Sequence, residues 1–84
     1  MTPESLAAHR KQLELTQAGM ADLLGLSLRG YQKIEAGESP IQTIHLLAIE
    51  SISLRIAVER KRPMLAFAPT RKLALELARI ITEE

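Results

Sequence analysis

Apolar positions recur along this chain with the period of helices, and each periodic stretch is bounded by a capping residue, a proline or a glycine. Thr2 can cap a helix, with Pro3 at its first position and Glu4 in its first turn. Leu6, Ala7, His9, Arg10 and Leu13 follow at helical spacing, which predicts a helix over residues 3–13. Thr16 is a second cap. Met20, Ala21, Leu23 and Leu24 then predict a helix over 17–24, ended by Gly25 as a left-handed residue. Leu26 falls in the turn and Ser27 is a third cap. The next helix, over 28–36, can turn Tyr31 and Ile34 inward because they lie three apart, and Gly37 closes it. Helices this short are unstable alone and must pack on one another. A four-residue link with glycine at its start joins the second and third, which is the sequence form of a helix-turn-helix.

Ser39 and Pro40 make a further helix start, and residues 41–60 contain no internal glycine or proline. Ile41, Ile44, Leu46, Leu47, Ile49, Ile52, Leu54, Ile56 and Val58 cover much of that helix's circumference rather than one stripe. Such a helix needs many partners, and self-association supplies them. The alternation from Ile52 to Val58 also fits a strand, with a break near Ser51 or Ser53. Pro63 ends the element. Residues 64–69 are short, apolar and bounded by prolines, which suggests an extended connector packed on the core. Thr70 caps a last helix over 71–82, with Leu73, Leu77, Ile80 and Ile81 on one side. The expected fold is therefore all-α: one domain over 1–84, a small bundle of about five helices. Residues 3–50 would form the helix-turn-helix core and 51–84 a C-terminal extension used for dimerisation.

Composition narrows the chemistry. At 84 residues and 46% apolar, the chain has the make-up of a single small globular domain. The absence of cysteine excludes disulfides, thiol catalysis and thiolate metal sites. His9 and His45 lack metal-ligand spacing and are expected on helix surfaces, His45 alternatively at a core edge. There is no glycine-rich phosphate loop, nucleophile arrangement or metal cluster, so neither an enzyme nor a cofactor is expected. No stretch suits a signal region or a membrane span, which leads to the expectation of a soluble cytoplasmic protein. Net charge is only +1, but residues 55–72 hold Arg55, Arg60, Lys61, Arg62, Arg71 and Lys72 against Glu59 alone. That run suits a solvated connector slightly better than a phosphate contact.

Residues 6–49 resemble the lambda-repressor-like helix-turn-helix family, which includes phage Cro and repressor proteins and many small bacterial regulators. The resemblance rests on Thr16-Gln17, Met20-Ala21, Leu23-Leu24-Gly25, Ser27, Ile34-Glu35 and Gly37, with Pro40 just beyond. It implies a recognition helix whose outward residues, Leu28, Arg29, Gln32 and Lys33, meet base edges in the major groove of double-stranded DNA. Arg29 would pair with guanine O6 and N7, Gln32 with adenine N6 and N7, and Leu28 with a thymine methyl. Lys33 would reach a guanine or a phosphate. By the same resemblance Gln17 would touch phosphate, as would the loop after the recognition helix at Gly37, Ser39 and Gln42. The caps Thr16 and Ser27 open helices whose N–H groups favour anions. Arg10 would pair with Glu35 and fix the angle between their helices. The ordinary alternatives are a solvated helix face for Arg29 and Lys33, a plain cap for Ser39 and a surface position for Gln42.

Three features depart from the family pattern. Gly19 and Gly30 weaken their helices, and Leu28 replaces a polar reader. Dimers of such proteins read two half-sites one turn apart, so a homodimer on a near-palindromic operator is expected. Ile52, Ile56, Leu73, Leu77, Ile80 and Ile81 would supply its interface. The alternative function is an antitoxin or adaptor whose C-terminal half grips a partner protein such as a toxin.

Overall fold

The computed structural model describes residues 1–83. These form five α-helices and no strand: α1 (Pro3–Gln12), α2 (Gln17–Leu24), α3 (Leu28–Glu35), α4 (Thr43–Arg60) and α5 (Ala68–Glu83). One 3-10 turn, Pro63–Leu65, separates the last two. The chain divides into two compact units, Met1–Ile49 and Glu50–Glu84.

The first unit follows its caps. Thr2 Oγ1 accepts from the Ser5 N–H at 3.0 Å while Ser5 Oγ accepts from the Thr2 N–H at 2.9 Å, a reciprocal capping box. Thr16 Oγ1 accepts from Gly19 N–H at 2.9 Å and Ser27 Oγ from Gly30 N–H at 3.0 Å. Here Gly19 and Gly30 acquire a reason. A Cβ on either would stand 3.2 or 3.1 Å from the capping hydroxyl, so the missing side chain lets the cap close tightly. Gly25 and Gly37, at φ 71° and 79°, end α2 and terminate the turn after α3 in the left-handed region. α3 packs on both α1 and α2. Leu6, Leu13, Met20, Ala21, Tyr31, Ile34 and Ile49 are buried. Burying each large side chain contributes roughly 1.5–3 kcal/mol, which is what holds helices of eight to ten residues together. Leu23 does not join them; it is 52% exposed at the end of α2.

The structure corrects the expected starts of the last two helices. α4 begins at Thr43, not beside Ser39 and Pro40. The Ser39 N–H is instead drawn back to the Lys33 carbonyl at 3.2 Å, so Ser39 belongs to the close of α3. Gln42 occupies the capping position. Its carbonyl accepts from His45 and Leu46 N–H groups at 3.0 and 3.2 Å, and its own N–H donates to His45 Nδ1 at 3.2 Å. His45 is thus a capping side chain, a role the sequence pattern did not suggest. α5 begins at Ala68, so Thr70 lies inside its first turn rather than capping it. Pro69 is at home there because the first-turn N–H groups lack intrahelical partners. The connector is not extended throughout, since Pro63–Leu65 forms a 3-10 turn before Ala66 straightens.

α4 is continuous, which settles the strand alternative for 52–58. Ile49, Ser53, Ile56 and Ala57 are buried at helical spacing, and the Ser53 hydroxyl donates to the Glu50 carbonyl at 2.7 Å. Ile56, only 9% exposed, faces the chain's own core, and this burial withdraws it from the residues available to a partner. Ile52 is half-buried. α5 differs sharply, having no buried residue along its 16 positions.

Candidate nucleic-acid interface

α3 presents two faces of opposite character. Tyr31 and Ile34 fasten it to the first unit's core, and the remaining turns leave Leu28, Arg29, Gln32 and Lys33 exposed. Arg29, Gln32 and Lys33 line one shallow surface depression together with Ala36 and Glu38. Leu28 sits at the helix start, 43% exposed, one turn before Gln32. The four residues expected to read bases therefore share the outer side of one short helix. Glu38 was not foreseen among them. Gly37 reverses the chain at φ 79°, and Glu38 N–H closes onto the Lys33 carbonyl at 2.9 Å, returning a carboxylate beside the cations. Helical spacing carries no signal for a residue delivered by a turn.

The base of α3 is locked by an ion pair. Arg10 Nε donates to Glu35 Oε2 at 3.0 Å and Arg10 Nη2 to Glu35 Oε1 at 2.9 Å, a bidentate geometry. Arg10 Nη1 donates to the Leu15 carbonyl at 2.9 Å, which ties in the chain between α1 and α2. The two side chains are 12% and 9% exposed. The hydrogen bond from Arg10 is the main cause holding the Glu35 carboxyl below its ordinary range, and the same bond raises Arg10. Beside them lies the buried Tyr31 phenol, whose oxygen has no hydrogen-bond partner among the described residues. Burial, then the Glu35 carboxylate, pushes that phenol up.

Gln17 extends this lock toward the outer face. Its amide nitrogen donates to Glu35 Oε1 at 3.3 Å and its amide oxygen accepts from Gln32 Nε2 at 3.2 Å. A continuous polar chain thus runs Arg10, Glu35, Gln17, Gln32, from α1 to an exposed side chain of α3. The Arg10–Glu35 half was expected from the resemblance; the link from Gln17 to Gln32 was not.

The six residues expected near phosphate lie around α2 and the flanks of α3. Thr16 and Ser27 spend an oxygen lone pair on their caps, which leaves each hydroxyl proton able to donate to an anion. Gly37 is exposed and Ser39 half-buried, and both border a second depression lined by Met1, Pro3 and Ile41. Gln42 is exposed, with its backbone used in the start of α4. The basic run lies elsewhere. Arg55, Arg60, Lys61, Arg62 and Lys72 are exposed in the second unit, and the half-buried Arg71 donates to the Ala66 carbonyl. Residues 1–49 carry five carboxylates against four Lys and Arg, and residues 50–84 five against seven. Those at the end of α4 complement its macrodipole. Among the described residues no cluster could hold a metal ion, and no helix is long and apolar enough to cross a membrane.

Two short helices joined by a glycine turn, the second carrying a polar outer face on an apolar underside, define a helix-turn-helix protein. A family model described as helix-turn-helix matches residues 6–52, and the chain belongs to that family. It is similar to the cryptic phage CTXphi transcriptional repressor RstR of Vibrio cholerae serotype O1, with 36% identity over 77 residues. That alignment covers 92% of this chain and 68% of the relative. No solved structure matches the chain.

Proposed function

We propose that the chain is a small transcriptional repressor that binds double-stranded DNA as a homodimer, each protomer placing α3 in the major groove of one half of a near-palindromic operator. The observation that carries this reading is the shared outer face of Arg29, Gln32 and Lys33 on a helix anchored from beneath by Tyr31 and Ile34. Arg29 pairs with guanine, Gln32 with adenine and Leu28 with a thymine methyl, while Lys33 takes a guanine or a phosphate. Thr16, Gln17, Ser27, Gly37, Ser39 and Gln42 bracket this helix and hold the backbone phosphates. Repression, rather than activation, is supported by the similarity to a phage repressor. The cytoplasm is where such a protein meets its operator.

Dimerisation is supported by α5, where Leu73, Leu77, Ile80 and Ile81 are 50–71% exposed on one side of a helix that buries nothing. The test is selection from a random duplex library at physiological salt, with sequencing of the bound DNA. Recovery of an inverted repeat with half-sites about one turn apart is the expected result. A folded protein that enriches no sequence would overturn the proposal and leave the α5 face as a surface for a partner protein.

A further inference from the structure

The charges of α5 run against its own dipole. Arg71 and Lys72 stand near its start and Glu83 at its end, with no acidic residue in the first turn and no basic residue in the last. The aligned peptide dipoles favour the reverse, anions at the start and cations at the end. This helix therefore gives up a terminal stabilisation that helices commonly use, while burying none of its apolar residues.

The order of charges explains what covers it. At about 100° per residue, Lys72, Glu76, Arg79 and Glu83 fall within roughly 60° of one another, along one edge of the Leu73, Leu77, Ile80, Ile81 stripe. Lys72 and Glu83 are equidistant from the point between Leu77 and Ala78, and so are Glu76 and Arg79. Reversing the helix about that point lays each cation on an anion. Leu73 and Ile81 exchange places about Leu77 under nearly the same reversal. The edge is thus complementary to itself, but only in the antiparallel sense. A parallel pair in register would bring Lys72 level with Lys72 and Glu83 level with Glu83.

We propose that α5 is the dimer contact and pairs antiparallel with α5 of a second copy, with Lys72 facing Glu83 and Glu76 facing Arg79 across the two-fold axis. This rests on the homodimer reading and adds to it the contact and its direction. An isologous interface requires a self-complementary patch, which the α5 edge and stripe supply. Antiparallel neighbours also set the positive end of one helix dipole beside the negative end of the other, which answers the inverted charges. Within one helix Arg79 lies 3.5 Å from Glu76 and 3.8 Å from Glu83, both pairs well exposed. Such pairs are weak and exchange readily for contacts across an interface.

The experiment is sedimentation equilibrium at low salt on the full chain and on Lys72→Glu, Glu83→Lys and the double exchange. Each single reversal turns two symmetric attractions into repulsions and should weaken the dimer roughly threefold to tenfold. Each single change also reverses one i,i+4 pair within the helix, Lys72 with Glu76 or Arg79 with Glu83, and the double exchange leaves both reversed, so recovery in the double reports the contact between copies and not helix stability. The double exchange restores opposite charges and should recover wild-type association or better. Unchanged or tighter association in the singles, or no recovery in the double, would overturn the antiparallel contact while leaving a dimer of another kind. A wild-type chain that stays monomeric at every accessible concentration would instead remove the homodimer on which the contact rests.

Discussion

The two units divide the work of folding unequally. Residues 1–49 build three helices of eight to ten residues, each opened by a side-chain cap and seated on a core that includes Leu6, Leu13, Met20, Tyr31 and Ile34. The second unit contains the 16-residue α5, twice the length of α2 or α3, yet nothing on it is buried. Of the second unit's large apolar side chains, Val58, Met64, Leu73, Leu75, Leu77, Ile80 and Ile81 are exposed. Length is therefore no measure of how complete a helix is. The short helices are finished by their neighbours, whereas the long one still presents a face that water disfavours.

That contrast is easiest to break at the Arg10–Glu35 pair. Arg10→Met should cost the first unit about 3 kcal/mol, because it leaves the Glu35 carboxylate almost buried without its cation. Urea unfolding followed by signals from the two units would read it, with the loss confined to the first. The same pair sets an acid limit. Glu35 has a lowered pKa, so its contribution is complete above the ordinary carboxylate value, roughly 4.3, and disappears as pH falls through the lower folded value. Wild type should therefore lose more stability than Glu35→Gln below about pH 4, and their difference should be flat from pH 5 to 8.

Smaller changes sharpen the division. Arg29→Ala should leave stability alone and relax preference at one base position by about 1–3 kcal/mol, measured by competition between duplexes. In the second unit, Lys61 adopts φ 55° just past α4. Lys61→Gly should raise the thermal midpoint, with a gain of about 1 kcal/mol from removing a left-handed side chain. The smallest effect belongs to Glu38, the carboxylate beside Arg29 and Lys33. Glu38→Gln should tighten DNA binding by about twofold to fivefold at low salt and make no difference to unfolding.

The helices of the first unit were legible because their signals are local. Thr2, Thr16 and Ser27 announce starts, and Gly25 and Gly37 announce ends, within three or four residues of the bonds they make. The same logic misplaced the start of α4, because Ser39 was claimed by the end of the preceding helix and His45 capped from inside the next. Thr70 misled for a similar reason, since Pro69 could begin α5 before it. Arg10 and Glu35 were legible only through the family pattern, being 25 residues apart. Glu38 beside Arg29 and Lys33, and the bond between Gln17 and Gln32, depend on where a turn and a second helix deliver their side chains. No periodicity within one element records that.

Under the proposed reading, in which Gln32 meets adenine, the Gln17–Gln32 bond bears on how that base is chosen. A glutamine amide has two N–H donors and one oxygen acceptor. Gln17 occupies one donor of Gln32, leaving one donor and the oxygen, which is the pair that adenine N7 and N6 require. The side chain's rotamer freedom is also restricted before any DNA arrives, so ordering it at the groove should cost less than the roughly 0.5–1.5 kcal/mol of a free side chain. Part of the entropy of recognition would then be lost during folding, and the selectivity at that base would belong as much to α2 as to the helix that touches it.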